Sequence, residues 1–421
     1  MLLKRPDRLT RSPRRGSAAP ISWRRNLYAL WIAQMLTIIG FSLRAPFLPF
    51  FIEDLGAGSF REQALWAGWI NAGGAAVMAL SAPLWGIVAD RYGRKPMVIR
   101  AMFCGAFTIG LMSLAQNPWH LLILRFIEGG FTGTVTASMT LVAATTPRER
   151  MGFGLGMMQM AIFSGASIGP LFGGLLADQI GYRPTFIVAG VMLLVGGVIV
   201  LTQVKEQFTR PVRGGGVGED VVDRVPLRLI LMGNAMLAMI MLMFVLRIAS
   251  SAIQPIMPLY VEQLAHTTAP IATLAGLTLG IAGFTSAIAS VTLGRLADRI
   301  GQRPVLLVSA VLVGLLYLPQ AIAQTPWHLM VLQALFGIAA GGVMPSANAI
   351  VANLTPTSRR GAVFGVTAAI TSVGAFIGPL SGSAIATSID IRAVFLVSGG
   401  LMLAVAAWVI YAMRNARLTL E

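Results

Sequence analysis

Four ionisable side chains interrupt stretches of the chain that are otherwise almost wholly apolar: Arg44, Arg125, Glu128 and Arg247. A charge set in hydrocarbon costs about 3 kcal/mol or more, so such residues pair with one another or line a cavity. Arg125 and Glu128 are three apart and share a face of any helix that carries them. A carboxylate that is buried beside a guanidinium is pulled two ways, and the balance suits it to taking up and releasing a proton. Glu128 is therefore the candidate proton carrier, with Arg125 competing for its charge; the plainer reading is a fixed ion pair that packs a helix. Arg44 and Arg247 lie in the outward halves of the first and seventh apolar stretches, as candidates for substrate contact or as arginines that snorkel to the interface. If all four groups face one cavity, its fixed charge is +2, which favours neutral or anionic ligands over lipophilic cations. Met157, Met158 and Met160 flank Gln159, an adaptable set from which Met157 and Gln159 are further candidates for substrate contact; methionines facing core or lipid are the simpler reading. Glu53, Asp54, Asp178 and Glu262 are competing carboxylates for the proton, but they fall near outer ends of the stretches, where wetted helix termini are the plainer reading.

The elements that position these residues are membrane helices. Of 421 residues, 56% are hydrophobic and 11% charged, where a soluble domain carries about 25% charged residues, so a soluble enzyme is excluded. Twelve apolar blocks fall near 26–51, 64–89, 97–115, 119–144, 152–178, 184–204, 228–261, 270–297, 304–323, 327–353, 361–388 and 392–413. About 20 apolar residues cross a bilayer as a helix. The blocks do not alternate with the period of two that barrel strands require, so the expected fold is all-α with twelve transmembrane helices.

The net charge of +16 reflects topology. One set of alternate loops, with both tails, holds 26 Lys and Arg against 9 acids; the opposite loops hold 3 against 6. That bias places both termini in the cytoplasm and the chain in the inner (plasma) membrane as a multi-pass protein. No aromatics interleave with the basic residues as nucleic-acid binding requires. Cys104 is alone, and His120, His266 and His328 lack metal-ligand spacing, so neither a disulfide nor a metal is expected. The first block has no cleavage site and is long enough to span, so it is not a secretory signal. Residues 1–25, with arginines and prolines interspersed, read as a disordered cytoplasmic tail.

The chain also repeats itself. An offset of 208 or 209 residues brings Pro46 and Pro49 onto Pro255 and Pro258, Gly86, Asp90, Arg91 and Gly93 onto Gly294, Asp298, Arg299 and Gly301, and Gly165, Gly169, Pro170 and Gly173 onto Gly374, Gly378, Pro379 and Gly382. The expected organisation is a six-helix half at 26–204, a glycine-rich cytoplasmic linker at 205–227, a second six-helix half at 228–413 and a short tail at 414–421. Halves with an even number of spans enter from the same side, which sets a binding site between them near the midplane, with rocking giving alternating access.

The residues 86–95, Gly-Ile-Val-Ala-Asp-Arg-Tyr-Gly-Arg-Lys, resemble the signature loop of the major facilitator superfamily, and the resemblance extends over all twelve blocks. It implies a gating latch on the cytoplasmic side carried by Gly86, Asp90, Arg91, Gly93 and Arg94. Asp298 and Arg299 belong to the second copy, where Gln302 departs from the expected basic residue. Gly165, Gly169, Pro170, Gly173 and Gly174 are similar to the motif of the superfamily's drug–proton antiporters, the multidrug efflux branch, and imply export. Leu121, Arg125 and Gly129 match its fourth-span motif, whose arginine is tied to proton transfer; Glu128 stands where those antiporters more often have an amide. The resulting expectation is a secondary transporter that exports small amphipathic drugs in exchange for protons, acting as a monomer, with a proton gradient and no cofactor. A phosphate-cradling loop of the ATP-driven kind is not found. The rivals are a proton-coupled importer or facilitator of one metabolite, and a membrane receptor that has lost transport.

Overall fold

The computed structural model describes residues 22–131, 133–147, 150–206, 231, 233–265, 270–356 and 359–418. The expected basic tail, most of the linker and His266 lie outside them. Among the described residues the chain is helical, without strands.

The first half contains α1 (Trp23–Leu43), α2 (Leu48–Asp54), α3 (Phe60–Tyr92), α4 (Arg94–Met112), α5 (Pro118–Phe131), α6 (Thr134–Thr145), α7 (Met151–Ile180) and α8 (Tyr182–Gln203). The second contains α9 (Asn234–Ile253), α10 (Met257–Leu264), α11 (Ile271–Ile300), α12 (Gln302–Gln320), α13 (Pro326–Leu354), α14 (Arg360–Ser388) and α15 (Ile391–Leu418). Eleven of these helices are long and apolar enough to cross a membrane.

The remaining crossing, the fourth, is made by α5 and α6 together. They meet at Gly133, whose φ of 120° lies where a side chain is strained. The carbonyls near the break find donors on α3: Ser81 Oγ donates to Gly129 O at 3.3 Å and Trp85 Nε1 to Gly130 O at 2.6 Å. A helix is broken inside a membrane only where neighbours satisfy the backbone in this way.

The first and seventh crossings are also divided, by short gaps between α1 and α2 and between α9 and α10. Pro49 and Pro258 stand in the first turns of α2 and α10, where a missing N–H costs nothing. Arg44 caps the C-terminus of α1 and so occupies the first gap.

Helix α7 is wedged between α1 and α11. A Cβ placed on Gly169 would lie 2.9 Å from Ile39 O, and Gly165 and Gly173 approach Met35 O and Leu43 O in the same way. On another side of α7, Gly174 meets Ala272 and Pro170 O meets Gly276, which joins the two halves. A second seam joins α3 to α14, where a Cβ on Gly68 would lie 2.9 Å from Pro379 O. Both seams lie toward the face remote from the start of α1, called here the far face. The face from which α1 starts carries the basic loops and is called the basic face.

Candidate functional site: a charged cavity between the halves

A cavity of roughly 610 Å³ lies between the halves, lined from α1, α2, α3, α5, α6, α7, α9, α11 and α14. Pockets of about 300–1,000 Å³ hold drug-sized ligands, so its size suits a small organic molecule. Arg44, Arg125, Glu128 and Arg247 all line it.

Glu128 is the hub, and the residue is only 3% exposed. Arg44 Nη1 and Nη2 donate to its Oε2 and Oε1 at 3.1 Å each, a bidentate fork across the first and fourth crossings. Arg125 Nη1 donates to Oε1 at 2.7 Å from one turn away on α5. The carboxylate is therefore neutralised twice over. Each arm has a local cause. Arg44 sits in the gap after α1. Arg125 lies over Gly74 of α3, where a Cβ would come within 2.9 Å of the guanidinium carbon, and its Nε donates to Ile70 O at 3.4 Å. Gly129 meets Gly74 backbone to backbone, which lets α5 cross α3 closely enough for this.

Arg247, on α9 of the other half, opens its side chain to the cavity. Among the described residues its guanidinium has neither a hydrogen-bond acceptor nor an ion pair. Asn71, Ser251 and Gln254 add neutral polar groups to the wall. None of these three is conspicuous in the sequence, because a lone polar residue in an apolar helix carries no sign of the direction in which it points.

Arg44, a candidate for substrate contact or for snorkelling, lines the cavity with its guanidinium on Glu128. One sequence expectation needs correction. Met157 and Gln159 are not among the cavity-lining residues. The cavity wall on α7 is made by Ala166 and Pro170. At about 100° per residue Met157 falls on the opposite side of the helix from Ala166, and it packs against the cluster containing Leu27, Met102 and Val142. Gln159 shares the stripe of Ala166 but sits two turns, about 10 Å, toward the basic face.

Asp178 is an exposed residue in the last turn of α7, as expected, and in addition its Oδ2 accepts from Thr273 N at 2.7 Å and from Thr273 Oγ1 at 2.6 Å. Helix α11 has Pro270 at its N-cap and no side-chain cap of its own, so a residue of the first half caps a helix of the second.

The Major Facilitator Superfamily model matches residues 30–284 and 239–419 of the chain. This chain belongs to the Major Facilitator Superfamily. Curated relatives include the multidrug resistance protein MdtG of Salmonella heidelberg strain SL476, 34% identical over 408 residues, covering 96% of this chain and 99% of that protein. The MdtG of Citrobacter koseri is 35% identical over 404 residues, covering 96% and 98%. Solved structures with the same fold include a bacterial homologue of the human lysosomal transporter Spinster, in an inward-facing and occupied conformation, with a TM-score of 0.74 at 14% identity over 94% of this chain and 98% of that one. The human organic anion transporter TETRAN gives 0.67 at 19% identity over 92% and 99%.

The superfamily's signature loop lies at the basic face. Gly93 has a φ of 98°, the tight turn that links α3 to α4. Arg91 stacks on Tyr92 with its guanidinium carbon 5.5 Å from the ring centre. The backbone N–H groups of Arg94 and Lys95 donate to the Glu206 carboxylate, at 3.0 and 2.8 Å, so the start of the linker caps α4. In the second copy Gln302 Nε2 donates to Asp298 Oδ1 at 3.2 Å and Arg299 is exposed. The Asp90 side chain lies outside what the structure describes. A side chain added at Gly86 or Gly294 would meet nothing within 4 Å, in contrast to the glycines of the far-face seams.

Proposed function

We propose that this superfamily transporter is a multidrug exporter that exchanges small amphipathic molecules for protons. The curated MdtG relatives, aligned over nearly the whole chain, support drug export. The observation that carries the exchange reading is Glu128 held between Arg44 and Arg125 on the wall of a drug-sized cavity between the halves. Bringing a proton to that carboxylate dissolves both ion pairs, so protonation and the arrangement of the cavity are tied together. The cavity's balance of three arginines against one glutamate favours neutral and anionic amphipaths over cations.

With the basic face cytoplasmic, as the positive-inside bias argues, the far-face seams close the periplasmic side and the state is inward-open. The halves, 26–204 and 228–413, then rock about the cavity, the antiporter-motif helix α7 sliding against α11 and the signature loops forming the latch when the basic face closes. Energy comes from the proton gradient, with no cofactor, and one chain suffices for the cycle.

The test is accumulation of a panel of chemically unrelated fluorescent drugs in bacterial cells stripped of their own exporters. Expression of this chain lowers accumulation of several drugs, and a protonophore abolishes the effect. Uptake of one solute without efflux of any drug contradicts the proposal.

A further inference from the structure

The fork between Arg44 and Glu128 has the geometry with which arginine recognises a carboxylate or sulfonate of any origin. Its two members come from different crossings and both line the cavity. Across the cavity, on the other half, stands Arg247 without a counter-charge among the described residues. Arg247 is exposed to the cavity, and Glu128, the only acid on the cavity wall among the described residues, is held by Arg44 and Arg125. An anion that enters the cavity therefore finds in Arg247 a cation with no carboxylate competing for it among the described residues. Ser251 and Gln254 follow Arg247 by four and seven residues on the same face of the seventh crossing and also line the cavity, as neutral hydrogen-bonding groups beside it.

We propose that Arg44 and Arg247 form an anion site spanning the two halves, and that Glu128 is its resident occupant, a carboxylate of the chain standing where a substrate carboxylate or sulfonate binds. The proposal rests on reading the central cavity as the substrate site. An anionic substrate takes Arg44 from Glu128, so ligand and carboxylate compete for one guanidinium. A proton on Glu128 removes the same competitor. Anion and proton therefore favour each other's binding, and by reciprocity an anion in the site retains the proton. A neutral substrate that donates a hydrogen bond to the Glu128 carboxylate does the reverse and excludes the proton. Neutral donors are thus the class exchanged for protons, while anions occupy the site without driving exchange. The charged groups facing Glu128 are Arg44 and Arg125, with Arg247 elsewhere on the cavity wall, and all three are cationic at working pH, so Glu128 alone makes the site respond to pH.

The experiment uses two fluorescent probes on one skeleton, anilinonaphthalene sulfonate (anionic) and phenylnaphthylamine (neutral), titrated against the purified full-length protein in neutral detergent. In the wild type the ratio of anionic to neutral affinity rises as pH falls. Glu128→Gln raises that ratio about tenfold and flattens its pH dependence; Arg247→Gln lowers it about tenfold. The two variants move the ratio in opposite directions, which damage to the fold does not produce. A ratio that falls or stays constant in Glu128→Gln overturns the proposal, as does a constant ratio in Arg247→Gln. If both probes bind and neither variant moves the ratio, the anion site is wrong while the substrate cavity stands. If neither probe binds the wild type, the substrate-cavity reading falls as well.

Discussion

Glu128 accepts three charge-assisted hydrogen bonds from two arginines while nearly excluded from solvent, so the side chain that replaces it decides what is lost. Glu128→Ala leaves two guanidiniums facing each other, and breaking a buried pair from one side costs about 3–5 kcal/mol. Glu128→Gln keeps an acceptor oxygen. Thermal unfolding in detergent is expected to show a clearly lower midpoint for the alanine variant than for the glutamine one; equal midpoints contradict the shared-carboxylate geometry. Gly74 makes a different prediction, because an added methyl there meets the end of the Arg125 side chain, which can move. Gly74→Ala is expected to stay folded and monodisperse but to lose drug-dependent proton movement, as Arg125 is pushed from Glu128. Undiminished coupling in that variant argues against the placement of Arg125. At this scale the four charges in apolar helices are visible without a structure, and all four line the cavity. The sequence did not reveal that Arg44 reaches Glu128, 84 residues away, because only the packing of the first crossing against the fourth makes them neighbours. Gly74, which gives Arg125 its room, looks like any other glycine in an apolar helix.

Between elements, the far-face closure has one polar fastening among the described residues, the Asp178 cap on α11. Asparagine caps helices about as well as aspartate, whereas alanine at an N-cap costs about 1 kcal/mol. Asp178→Ala is expected to shift the population toward an open far face roughly fivefold, read as labelling of a cysteine placed in the α7–α11 seam, and Asp178→Asn to leave it near wild type. Equal labelling in all three proteins removes Asp178 from the gate. Glu262 adds a pH dependence. Burial first, and the Glu53 carboxylate second, hold the Glu262 carboxyl above the usual carboxylate range. A group whose acidity is weakened in the closed arrangement favours that arrangement while protonated, so closure is best supported at low pH and weakens as pH rises through the raised value. Far-face labelling is expected to increase with pH in wild type and to lose that slope in Glu262→Gln. The sequence marked Asp178 as a helix terminus correctly but left its partner unknown, since a cap from 95 residues away has no local signature. The break in the fourth crossing escaped for a related reason. Gly133 follows Gly129 and Gly130 in a run that also reads as continuous membrane helix, and the carbonyls it frees are satisfied by Ser81 and Trp85 of α3.

For the whole molecule, the arrangement of two repeated halves was legible because punctuation recurs at a constant offset, Gly93 with Gly301 and Pro49 with Pro258. The first pair makes a turn with positive φ in each half, and the second starts a short helix in each. What recurs is scaffold. The charged residues do not repeat: Arg44, Arg125 and Glu128 belong to the first half, and the second contributes Arg247 from a different level of its own first crossing. The cavity is therefore asymmetric in charge although the bundle is pseudo-symmetric, with Glu128 and its two arginines on the first half's wall and Arg247 on the other. The sides taken by Met157 and Gln159 were not legible, because an all-apolar helix offers no polar stripe from which to fix its rotation.

The central claim is that substrate and proton are exchanged through Glu128. It is tested most directly by reconstituting wild type and Glu128→Gln into liposomes, imposing a pH gradient, and recording proton movement with a trapped pH-sensitive dye as a neutral drug is added. The prediction is drug-dependent proton flux in the wild type and none in Glu128→Gln, with the drug still bound by both. Flux of equal size in the variant contradicts the claim and moves the coupling group away from the cavity.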